Sequence, residues 1–130
     1  MLFRSNKDIG LAADAFTSSN GMKTATLNSL ATAYPLLVVC SSSAGVTATT
    51  CGTGATIKLT DQAPALIYSL GKNGAILSTS LDELANTDGT NANGNIVFVS
   101  HDQTPTFDDH VVWLSLNILT NRMVTAGKLP

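Results

Sequence analysis

The chain has 130 residues, enough to bury about two thirds of the surface exposed by the unfolded polypeptide, and is read as a single domain over residues 1–130. Apolar residues make up 44% and charged residues only 12%, with 7 Lys plus Arg against 9 Asp plus Glu and a net charge of -2, which excludes a disordered charged tail and leaves too little positive field for a nucleic-acid partner. Solubility rests on 12 Ser, 17 Thr and 10 Asn, a polar composition frequent in β-rich domains that work outside the cell.

In chain order, Ile9, Ala12, Ala13 and Phe16 recur at i, i+3, i+4 and i+7 and predict an amphipathic helix from about Asn6 to Phe16, closed by Asn20 and Gly21. Leu27, Leu30 and Ala31 keep helical spacing, so a second short helix is expected over 23–33, ended by Pro35. Leu36 to Cys40 is apolar and β-branched, as a buried strand is, and as the longest apolar run it falls far short of the roughly 18 residues that cross a bilayer. From Ala55 to Thr60 the alternation of Ile57 and Leu59 with polar residues predicts a strand with one face inward.

Ala65 to Leu70 reads as the next strand, followed by a turn at Gly71 to Gly74, where Asn73-Gly74 is expected to supply positive φ angles, and a short strand at 75–77. Residues 78–95 carry Asp, Asn, Gly and Thr with little periodicity and are read as a long loop. Asn95 to Ser100 and Val111 to Leu116 resemble central strands, and Asn117 to Ala126 a final helix stopped by Gly127 and Pro130. The expected class is α+β, with an N-terminal helix packed on a mostly antiparallel sheet and a short C-terminal helix.

Cys40 and Cys51 flank ten small residues, which predicts a disulfide. Metal ligation by the pair would need two more ligands, and His101 and His110, nine apart, lack the usual zinc spacing. A disulfide implies an oxidising compartment. Yet MLFRSNKDIGLAADAF holds no apolar core of secretory length; an export or anchoring segment removed, or carried on another chain, would reconcile the two.

Catalytic constellations are sparse. Ser100, His101 and Asp102 are consecutive, and neighbours on an extended chain point to opposite faces, so they form no relay among themselves. Asp108 and Asp109 precede a strand, where acidic side chains commonly close an Asx turn. No GxSxG turn and no phosphate-binding loop occurs, and the chain is expected not to be an enzyme. The GxxG at Gly71 to Gly74 contains Lys72, but Pro64 stands where the helix of a KH domain would run, so the turn reading stands. The stretch SLDELANTDGTNANGN offers Asp82, Glu83, Asn86, Asp88, Asn91 and Asn93 as oxygen donors of the kind calcium takes. It fails the EF-hand register, however, because Gly94 at the sixth position puts Gly89 first and Ser100 twelfth, so a solvated loop is favoured.

The string NGNIVFVSHDQTPTFDDHVVWLSLNILTNRMVTAGKLP, with YSLGKNG and LDELAN upstream, resembles the soluble head of type IV pilin-like proteins, nearest to bacterial minor pilins and type II secretion pseudopilins, over Ile67 to Pro130. The resemblance implies a non-enzymatic structural subunit of a pilus or secretion-type filament, in the periplasm and anchored in the inner membrane, or in an extracellular filament. Its partners would be other pilin or pseudopilin subunits, its only membrane contact an apolar N-terminal helix absent from this sequence, and the amphipathic helix ending at Phe16 the tail of that helix. Because major pseudopilins bind calcium in a comparable acidic region, the resemblance also implies calcium at Asp82, Glu83 and Asp88. A free-standing extracellular calcium- or ligand-binding domain is the alternative, and an exported hydrolase built on Asp108, Asp109 and His110 a distant third.

Overall fold

The computed structural model describes residues 1–5, 36–73, 80–87 and 96–127. The helices expected at 6–16 and 23–33 and the strand at 75–77 lie outside these residues. Six strands are described, β1 (Leu2–Ser5), β2 (Leu37–Cys40), β3 (Lys58–Ala63), β4 (Ala65–Ser69), β5 (Val97–Val99) and β6 (His110–Trp113), with two helices, α1 (Leu81–Thr87) and α2 (Leu116–Thr125). The class is α+β. The strands form two small sheets, of order β1-β4-β6 and β3-β2-β5. The first is antiparallel throughout, whereas the second is mixed, since β2 pairs parallel with β5.

Burial follows the sequence pattern where a strand has neighbours on both sides. Central β2 is buried along its whole length, and β5, whose three residues are apolar, is buried with it. In β4, which pairs with β1 and β6, Leu66 and Tyr68 turn inward and Ile67 outward. One apolar cluster joins the sheets: Leu37, Val39, Val97 and Phe98 from one pack with Leu66, Tyr68 and Val111 from the other. Tyr68 and Phe98 meet with ring centroids 5.6 Å apart at a 55° tilt, a favoured aromatic geometry. Each large side chain taken fully out of water here contributes about 1.5–3 kcal/mol.

Three expectations are corrected. The strand expected at Ala55 to Thr60 is shifted to Lys58–Ala63, and Ile57 and Leu59 are exposed; among the described residues β3 pairs only with β2, and its one buried residue is Ala63. The segment 78–95 is not all loop, because Leu81–Thr87 is helical. The strand expected at Val111 to Leu116 ends at Trp113, and α2 begins at Leu116. Gly127, with φ +62°, follows α2 and bonds back to the Val124 carbonyl at 3.0 Å, the C-terminal stop anticipated from the glycine.

The expected disulfide is present: Cys40 at the end of β2 joins Cys51 with Cα atoms 5.7 Å apart. It closes a loop that is tied again where Ser41 N–H donates to Ile57 O at 2.8 Å and Ile96 N–H donates to Ala48 O at 2.9 Å. Among the described residues no helix is long and apolar enough to cross a membrane.

Candidate functional site

The polar residues of α1 sit on the wrong side for a surface helix. Leu81 is exposed, whereas Glu83 and Asn86, three apart and so on one face, are each only 1% exposed. Glu83 is the only glutamate in the chain. Burying such groups is costly unless they are hydrogen-bonded, so each must find partners in the interior.

Those partners come from two other segments. Asn86 works as a clamp on β5: its Nδ2 donates to Val99 O at 2.9 Å while Val99 N–H donates to its Oδ1 at 2.8 Å. The same Nδ2 donates to Asp109 Oδ2 at 2.9 Å. Glu83 Oε1 accepts from the Asp108 backbone N–H at 3.0 Å, and its Oε2 accepts from Asn73 Nδ2 at 2.8 Å. Asp108 Oδ2 in turn accepts from the Lys72 backbone N–H at 3.0 Å. The turn after β4, one face of α1 and the residues leading into β6 are thereby fastened at one polar node.

Gly71 permits the close approach. Its φ is +60°, and a Cβ built there would stand 1.8 Å from Asp108 Oδ1. A side chain there would be strained by the backbone angle and would displace the Asp108 carboxylate. The positive φ therefore falls on Gly71; Asn73 does not have one, contrary to the sequence-based expectation, and Gly74 lies outside the described residues.

Three carboxylates meet at this node. Glu83, Asp108 and Asp109 each offer an oxygen, and these oxygens lie within 4.8 Å of one another. Asp109 is 3% exposed. Burial pushes its carboxyl above the ordinary carboxylate range, the Asn86 amide offsets part of that, and the charges of Glu83 and Asp108 add to it. Among the described residues, Asp108 Oδ1 and Asp109 Oδ1 are both buried without a hydrogen-bond partner. Chemically the node is an anionic, oxygen-only set suited to holding a proton or a hard cation. The Asx-turn reading of Asp108 and Asp109 is corrected, since both carboxylates are spent on tertiary contacts.

Of the residues expected to bind calcium, Glu83 belongs to the node and Asp88 lies outside the described residues. Asp82, about 100° from Glu83 around the helix, faces a second network. Its Oδ1 accepts from Ser43 N–H at 2.6 Å and its Oδ2 lies 3.2 Å from His101 Nε2. Burial opposes ionisation of Asp82, but the hydrogen bonds from Ser43 and His101 outweigh it and hold its carboxyl below the ordinary range. The His101 ring stacks on Phe107 with centroids 3.9 Å apart, and its Nδ1 lies 2.7 Å from the Asp102 carbonyl oxygen. Both imidazole nitrogens are thus engaged. Asp109 is buried while the next residue, His110, is exposed, so the Asp108, Asp109 and His110 set is not brought to one face.

Sequence reasoning missed Asp109 and Asn86 as node residues. A legible sign existed for the first: Asp109, Val111 and Trp113 alternate with the exposed His110 and Val112, and the period of two that buries Val111 points Asp109 inward as well. Protein-family models, curated proteins and solved structures were compared with this chain, and none matches.

Proposed function

We propose that the chain is the head of a pilin-like structural subunit, acting at the cell envelope through assembly with other subunits. The observation that carries this reading is the convergence of the motifs on which the resemblance rests. YSLGKNG supplies Lys72 and Asn73, LDELAN supplies Glu83 and Asn86, and FDDHVVW supplies Asp108 and Asp109, and these six meet at one hydrogen-bonded node. Short motifs scattered over some forty residues are expected to recur together when they build one architectural joint. The disulfide fits an oxidising location. On the outer face of the first sheet, Ile67 and Val112 are paired across β4 and β6 and are 44% and 54% exposed, which gives neighbouring subunits an apolar strip to pack on.

In this reading the head does mechanical work with no chemistry of its own. Deleting the gene in the producing bacterium and counting surface filaments by electron microscopy tests it. Loss or severe reduction of filaments, restored by a plasmid copy, is expected. Unchanged filament number together with unchanged protein secretion would contradict it.

A further inference from the structure

We infer that Glu83, Asp108 and Asp109 form a binding site for one divalent cation of the hard, oxygen-preferring class, calcium in particular. Two independent observations carry this. First, three carboxylates from two separate segments present oxygens within 4.8 Å of one another. Second, the Oδ1 atoms of Asp108 and Asp109 are buried with no hydrogen-bond partner among the described residues, and Asp109 as a whole is 3% exposed. Buried polar atoms without a partner are rare in folded proteins and call for a specific explanation.

The hydrogen bonds around the site act as outer supports. Asp108 and Asp109 each spend one oxygen on a fixed donor, the Lys72 N–H and the Asn86 amide respectively, and keep the other. Carboxylates that ligate metals are commonly oriented by such outer contacts. Among the described residues no Lys, Arg or His forms an ion pair with Asp108 or Asp109, so their charge is not met by a protein cation there.

The donor set discriminates between metals. It holds no nitrogen or sulfur, which disfavours zinc. Magnesium dehydrates reluctantly and rarely sits in a buried cage of protein ligands. Calcium accepts six to eight oxygens at about 2.4 Å, and oxygens within 4.8 Å of one another are close enough to share one such ion. Three carboxylates would supply part of that shell, with water completing it. The site differs from the set implied by the resemblance, since it recruits Asp108 and Asp109 and does not use Asp82. It stands whether or not the chain is a filament subunit.

The test is calorimetric titration of the intact chain at pH 7 with calcium chloride after stripping with EDTA, combined with thermal melts. One calcium per chain is expected, with a rise in melting temperature of about 10 °C at a hundred times the dissociation constant. Magnesium should bind at least tenfold more weakly. Asp109→Asn should fold in EDTA, because it removes a buried charge, and should lose the calcium-induced shift; Asp108→Asn should weaken calcium binding at least tenfold. Asp82→Asn should keep the shift. The inference is overturned if wild type takes up no calcium at millimolar concentration, the outcome expected when the carboxylates only share a proton. It is equally overturned if Asp109→Asn binds calcium as wild type does.

Discussion

Asn86 shows how much one amide can do when buried. It satisfies both the N–H and the carbonyl of Val99 and caps one oxygen of Asp109, so truncating it strands at least two buried polar groups. Asn86→Ala is predicted to destabilise the fold by about 2–4 kcal/mol in urea denaturation, and a loss under 1 kcal/mol would show that the clamp is dispensable. Asp82 offers a pH test with a definite sign. Its folded-state pKa lies below that of the unfolded chain, so the stability it contributes is present above the ordinary carboxylate range and disappears as the pH falls through the lowered value. Urea midpoints measured from pH 7 downward should show that acid loss in wild type and a flatter profile in Asp82→Asn, with a difference of about 1–2 kcal/mol at pH 7. Equal slopes would mean that the contacts to Ser43 and His101 do not favour the ionised carboxyl.

At the scale of elements, legibility tracked the hydrophobic pattern. Leu37–Cys40, Ala65–Ser69 and Val97–Val99 fall within the apolar stretches that predicted them, because these strands are buried by neighbours and carry apolar residues on the buried face. α1 was unreadable for a physical reason: its inward face is Glu83 and Asn86 and its leucine at 81 points to solvent, so the usual amphipathic period is inverted. The same inversion hid the node, since each of its carboxylates, taken alone, resembles an ordinary loop residue. The edge strand β3 and the residue before it misled in the opposite sense, with Leu59 and Ile57 apolar but exposed. The Cys40–Cys51 bond is the one covalent tie and was plain from spacing alone. Because it pins the end of a central strand to its loop, reducing it should lower stability by about 3 kcal/mol, measured by chemical denaturation with and without reductant. An unchanged midpoint would assign the loop's order to its hydrogen bonds alone.

For the whole molecule, two small sheets share one apolar cluster and are braced at separate places by a sulfur bridge and a carboxylate node. The proposed function, a load-bearing head held away from reducing conditions, would make use of such bracing, since thiols can be kept as a disulfide there. Rapid acid quenching of the cells that make the protein, followed by alkylation and mass spectrometry on sheared surface filaments and on the soluble interior fraction, addresses this directly. If the proposed function holds, the chain is found in the filament fraction with Cys40 and Cys51 joined. Recovery in the soluble interior with both thiols alkylated would contradict it.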